Sequence, residues 1–302
     1  MFLELEEMRV YKPFVGGKLL DELRGDLNSK ESHYPERWIC STTESSDNSG
    51  LSVTKDGTLL KSYLPNSLDI LVKLIDSCTR LMIQVHPDKK RAEKYFNYSS
   101  GKTECWYVLN TRVIDGVEPY VFVGFKEGIT KEIWQDIFEK QDIEAMENAL
   151  HKINVKKGDT FFIPSGVPHA MGSGVFFAEV QEPSDITLRT EYISPDNRKM
   201  SDFDLHHGTS FENMFNCFDY DGKSLTDTLL KYKVKTHNNI IIDTSKFSLE
   251  DIEFDGSFSF DPKSYAIAII IEGDNKGCEY YFDEKHTFYG SSRILIFQGS
   301  NR

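Results

Sequence analysis

The stretch GDTFFIPSGVPHA (residues 158–170) constrains the fold of this chain more than any other. Gly158 makes a turn, TFFI forms a short apolar strand, Pro164 and Gly166 turn the chain again, and His169 follows at once. A second short stretch, IQVHPD (residues 83–88), reads as a strand stopped at Pro87. Side chains alternate along a strand, so Gln84 and His86 share one face while Ile83 and Val85 share the other. A strand face that carries glutamine and histidine together is either wet or holds something. Farther along stands Glu104, in GKTECWY.

The surrounding sequence is strand-rich. LVKLID, ECWYVLN, EPYVFVGF, INVKKGDTFFI, GVFFAEVQEP and ITLRTEYI are short alternating or continuous apolar runs separated by turn residues. The 13% aromatic content, with 21 Phe and 14 Tyr, suits strands. CSTTESSDNSG (residues 40–50) reads as a loop, and PDKKRAEKYFNYSSG as a short solvated helix opened by Pro and Asp. Residues 131–150 break the pattern: Ile133, Ile137, Ile143, Met146 and Leu150 recur at mostly helical spacing and predict one or two helices. After a weak boundary near residues 200–225, short strands resume with turns every eight to twelve residues, the cadence of a sandwich or barrel. VKKGDTFFIPSG and TFYGSSRILIFQGS share a turn glycine, an apolar strand and a second glycine, a faint repeat that predicts two similar barrels.

Composition narrows the partners. The net charge of −13 argues against nucleic acid and anionic membranes, and requires any anionic ligand to be met by a local basic cluster. Five scattered cysteines with no CxxC predict no disulfide framework and a reducing, cytoplasmic setting. MFLELEEMRVYKPF lacks the apolar core of a signal peptide, and the longest apolar run falls far short of the roughly 20 residues that span a bilayer.

The spacing Gly, five residues, Pro-x-Gly, two residues, His resembles the second metal-binding motif of the cupin jelly-roll barrels. The ordered set LVKLID, QVHPD, GKTECWYVL, IPSGVPHA and AEVQEPSDITLR closely resembles the type I phosphomannose isomerases, from about Leu71 to Arg189, with weaker echoes at Gly16–Gly17 and Glu36–Trp38. The resemblance implies a mainly β fold of tandem cupin-type jelly-roll barrels with a small helical insertion. A metal-binding barrel would occupy residues 1–205, with the insertion around 131–150, and a degenerate barrel without a metal site residues 206–302. It implies a zinc-dependent interconversion of mannose 6-phosphate and fructose 6-phosphate through an enediol.

Carried over by motif, the metal ligands are His86, Glu104 and His169, with Gln84 as a fourth, holding one Zn²⁺ per chain. Two imidazoles with oxygen ligands and no thiolate would equally suit Fe²⁺ or Mn²⁺. Cys105, next to Glu104, points to the opposite strand face. Arg189, Lys102 and Lys73 match the family's pocket cations, and would bind phosphate and polarise sugar oxygens. Lys73 and Lys102, with their pKa values lowered, and Glu179 are the candidate proton-transfer bases. The other histidines have no partner at metal spacing, and His206–His207 read as a solvated loop.

Two departures stand out. Met82 replaces the family's serine, and TEYISPDNR replaces the usual run after the arginine, which leaves Arg198 as a candidate substitute for phosphate. These departures keep a non-catalytic sugar-phosphate sensor open beside the isomerase, as the shared site keeps open an Fe²⁺ oxygenase. Either way the implied partner is a small sugar phosphate and the chain a monomer or homodimer.

Overall fold

A computed structural model describes residues 1–26, 30–45 and 48–300; Ser46 and Asp47 of the expected 40–50 loop lie outside the described residues. The architecture is mainly β, in three antiparallel sheets. One sheet of six strands runs Met8–Val10, Glu36–Ile39, Leu71–Ser77, Val175–Gln181, Glu104–Thr111, Thr160–Ile163 in spatial order. Facing it is a sheet of five: Leu188–Arg189, Gln84–Val85, His169–Met171, Tyr120–Phe125, Leu150–Asn154. The third orders its six strands Phe2–Leu5, Glu279–Phe282, Ala266–Gly273, His286–Gln298, Ser248–Phe260, Ile240–Asp243.

The first sheet is shared between two cores, which explains its sequence. All seven residues of Leu71–Ser77 and all seven of Val175–Gln181 are buried. On one face Val72, Leu74, Cys105, Tyr107, Ala178 and Val180 pack against Leu249, Ile267, Ile269, Leu295 and Phe297 of the C-terminal sheet. On the other, Ile75, Trp106, Val108 and Phe177 meet Val121, Val123 and Met171 of the facing sheet. Lys73, Glu104 and Glu179 have the parity of this second face, so the period-2 rule turns them into the barrel. Cys105 goes the other way, as expected, and all five cysteines are free thiols.

Residues 131–150 form two helices and the start of a strand. Thr130 caps Lys131–Lys140, whose left-handed Gln141 (φ 49°) ends it, and Asp142 caps Ile143–Ala149. The expected Met146 and Leu150 are buried, but the rest of the stripe differs: Trp134 and Phe138 face inward, whereas Ile133 is 43% exposed. The large aromatics win the inward face because they bury more apolar area. The expected strand at 80–86 is ordered as strand only at Gln84–Val85. Asp88 caps the Lys89–Phe96 helix where the sequence predicts one.

Two segments cross the expected division at 205/206. Phe2–Leu5 adds an edge strand to the C-terminal sheet, with Phe2 opposite Phe282. The helices Asp202–His206 and Phe211–Phe215 send Leu205, Met214 and Phe215 into a core with Trp134, Phe138 and Met82, on the barrel side. The two stretches of the faint repeat occupy different places: Thr160–Ile163 is a sheet edge, while His286–Gln298 runs between two strands.

One ion pair ties the shared and C-terminal sheets. Arg37, on the Glu36–Ile39 strand, donates to Glu279 at 2.6 and 2.9 Å and to the Gly277 carbonyl at 2.7 Å, with Arg37 1% and Glu279 0% exposed. Removing one partner leaves a buried charge alone, which costs about 3–5 kcal/mol. Arg37→Ala is therefore expected to lower the unfolding free energy by about that amount in denaturant titrations, whereas truncating the exposed Lys140, paired with Asp136, leaves it within about 0.5 kcal/mol.

Candidate metal centre

His86, Glu104 and His169 come from three places in the chain and meet at one point. His86 follows the Gln84–Val85 strand, His169 opens the neighbouring strand opposite Gln84, and Glu104 opens its strand in the shared sheet. One potential ligand atom from each lies within 4.8 Å of the others. His169 Nε2 stands 3.2 Å from Glu104 Oε1 and 3.2 Å from His86 Nε2, and His86 Nε2 stands 3.3 Å from Glu104 Oε2.

Each imidazole is held from behind. His86 Nδ1 donates to the Ile186 carbonyl at 2.9 Å, and His169 Nδ1 to the Val167 carbonyl at 2.8 Å. A carbonyl only accepts, so each Nδ1 carries the ring proton and each Nε2 presents a lone pair. Both Glu104 oxygens are buried without a hydrogen bond among the described residues. Four facing lone-pair atoms are tolerated in a buried site only around positive charge. Lys102 Nζ, 2.9 Å from His86 Nε2 and 3.4 Å from Glu104 Oε2, supplies some of it. Gln84 adds an amide 3.3 Å from His169 Nε2, and turning that amide over would present its oxygen. The donor set fits a divalent cation.

Electrostatics follow from the burial. Burial, with help from Lys102, pushes the His86 pKa down to about 3, and burial lowers that of His169. Both rings are thus neutral ligands near pH 7. For Glu104 burial works against ionisation, but Lys102 and the two histidines outweigh it and hold the carboxyl well below its usual range.

A pocket opens beside the three ligands, lined by Gln84, Lys73, Lys102, Glu179, Arg189 and Met82 together with Lys12, Glu36 and Asp185. Two of these residues belong to a row across the shared sheet, in which Trp38, Lys73, Glu179 and Trp106 are successive register partners. Lys73 Nζ lies 3.5 Å from Glu36 and 3.4 Å from Glu179, over the Trp38 ring at 5.1 Å. Burial would lower the Lys73 pKa, but those carboxylates raise it above the ordinary lysine value. The expectation that Lys73 has a lowered pKa and acts as a neutral base is therefore corrected: it is a fixed ammonium. Lys102 does shift down, chiefly by burial. Glu179 is pushed up to about 7 by burial and by the nearby Glu104 charge, against the pull of Lys73.

Arg189 lines the pocket, its Nη1 donating to the Asp204 carbonyl at 3.1 Å. Arg198 instead reaches Tyr11, 3.3 Å from its hydroxyl, and is not among the pocket-lining residues. His206 ends the Asp202–His206 helix and His207 is its left-handed cap, apart from the metal cluster. Sequence reasoning passed over Lys12 and Asp185. Lys12 Nζ contacts Asp185 at 3.4 Å and Glu36 at 3.7 Å. The one signal for Asp185 is its place between Glu179 and Arg189 in EPSDITLR.

No family model matches the chain. In sequence it is 35% identical over 120 residues to the mannose-6-phosphate isomerase ManA of Bacillus subtilis, covering 40% of this chain and 36% of that protein. It is 31% identical over 202 residues to the mannose-6-phosphate isomerase of Streptococcus mutans, covering 62% and 59%. The sequence matches thus span about a third to three-fifths of those relatives. In structure it resembles the Bacillus subtilis mannose 6-phosphate isomerase with a TM-score of 0.75 at 20% identity, over 98% of this chain and 99% of that one. A zinc-bound mannose 6-phosphate isomerase matches with a TM-score of 0.70 at 14% identity, over 99% of each chain. The resemblance drawn from the motifs is thus matched by sequence similarity over those spans and by the fold of the whole chain.

Two outcomes are expected. His169→Ala removes one of the converging lone pairs and weakens divalent-metal binding about 100-fold or more in competition with a chromogenic chelator. Glu179, with a folded pKa of about 7 above the ordinary 4.5, contributes stability that is fully present below pH 4.5 and lost as pH rises through 7. Relative to Glu179→Gln, the wild-type chain should therefore lose roughly 3 kcal/mol between those pH values in urea unfolding.

Proposed function

We propose that this chain, homologous to mannose-6-phosphate isomerases and built on their fold, interconverts mannose 6-phosphate and fructose 6-phosphate with one zinc ion at His86, Glu104 and His169, and Gln84 as a fourth ligand. The observation that carries this reading is the charge balance of the pocket next to the three ligands. Lys12, Lys73, Lys102 and Arg189 face Glu36, Glu104, Glu179 and Asp185, so the site is formally neutral by itself. A divalent ion raises it by two, the charge of a phosphate dianion.

An aldose–ketose isomerisation moves a proton between C1 and C2 through an enediol. It needs a proton carrier, stabilisation of charge on the carbonyl oxygen and a clamp for the phosphate. Bound zinc would supply Lewis-acid stabilisation of that oxygen, worth several kcal/mol. The remaining work belongs to the chain. Glu179, with its pKa near 7, can give and take a proton at neutral pH, and is the preferred carrier over Lys102. Lys73, held as an ammonium between Glu36 and Glu179, is an electrostatic group. Arg189 and Lys12 stand at the pocket as phosphate partners. Their binding energy would orient the reacting carbons.

The test is a coupled assay on mannose 6-phosphate. Activity should vanish on chelation and return with Zn²⁺; turnover at the original rate after complete metal removal would overturn the reading. Uptake of solvent deuterium at C2 separates an isomerase from a protein that only binds the sugar. Lys73→Met is expected to lower kcat by about 100-fold or more, the typical cost of losing a preorganised charge-stabilising group.

A further inference from the structure

Trp106 has a use beyond filling the barrel. Its side chain is fully buried, at 0% exposure, and its indole N–H donates to Oε1 of Glu179 at 3.0 Å. Glu179 sits directly opposite it in the ladder, with Lys73 opposite Glu179 on the other side and 3.4 Å from Oε2. The carboxylate is therefore gripped at both oxygens, by a neutral donor from one flanking strand and by an ammonium from the other. The same indole meets the His169 imidazole edge to face, with ring centroids 5.3 Å apart and planes crossing at 75°. A phenylalanine would satisfy the packing; only an indole both packs there and donates.

We propose that Trp106 is a positioning residue, which fixes the Glu179 carboxylate through its N–H and ties that geometry to the His169 ring. Its catalytic consequence rests on the reading of Glu179 as the proton carrier. The groups facing Glu179 are Lys73 from one adjacent strand, Glu36 from the strand beyond it, Glu104 from the other adjacent strand, and Lys102 from the residues leading into that strand. Against that background an N–H donor favours the ionised carboxylate, so its loss raises the pH at which Glu179 titrates.

The experiment uses Trp106→Phe, which keeps a ring and removes the donor. In pH-dependent infrared spectra the band of the buried carboxylic acid is identified by its disappearance in Glu179→Gln. In Trp106→Phe its midpoint should move up by about one pH unit, as expected for losing a charge-assisted hydrogen bond. The acidic limb of the kcat profile should follow it, with kcat near neutrality down about tenfold, KM nearly unchanged and metal content intact. Trp106→Leu, which removes the ring as well, should also loosen metal retention. A midpoint that stays in place in Trp106→Phe overturns the proposal.

Should Trp106→Phe not fold, fluorotryptophan labelling of the unaltered chain, which has three tryptophans, gives the same answer. One fluorine resonance must follow the Glu179 titration and stop doing so in Glu179→Gln; no responsive resonance overturns the proposal. Wild-type protein without isomerase activity would remove the catalytic reading and leave the infrared and fluorine outcomes to decide the role of Trp106.

Discussion

Both faces of the shared sheet are buried, and this constraint governs the rest of the molecule. A strand in such a sheet cannot leave its polar side chains to water, so any charge on it must be answered by another charge or a donor. One face meets this demand with hydrocarbon, packing Val72, Leu74, Ala178 and Val180 against the C-terminal sheet. The other carries Lys73, Glu179 and Glu104 into the barrel, where each finds a partner of opposite sign or an indole N–H. The C-terminal sheet, without a metal cluster among its described residues, covers the apolar face that allows the polar one to be held so rigidly.

Part of the candidate metal site was legible in the sequence because its placement is local. Alternation put Gln84 and His86 together, and the turn residues Gly158, Pro164 and Gly166 delimit the strand before His169, whereas Glu104 was reached only through the resemblance to the phosphomannose isomerases. The mainly β fold was legible for a similar reason, since strand period and turn chemistry are short-range. The ionisation of Lys73 was not. It depends on Glu36 and Glu179, which lie far away in sequence and reach it only through cross-strand register. Lys12 and Asp185 escaped notice because neither lies within a regular strand or helix whose period could point it anywhere.

Helix faces show the limit of pattern reading in miniature. In Lys131–Lys140 a count of aliphatic residues favours Ile133, but the buried face is set by Trp134 and Phe138, which pack against Phe125 and Phe215. Those partners come from a strand and from the helix at 211–215. The choice between two adjacent stripes of one helix is therefore made by tertiary contacts and not by hydrophobicity alone.

The pairing of Phe2–Leu5 with Glu279–Phe282 has a bearing on how the molecule is made. A ribosome releases the first of these segments long before the second exists, so the edge strand must wait for this partner while the residues between them are synthesised. The pairing that completes this edge of the C-terminal sheet can therefore form only once Glu279–Phe282 has been made.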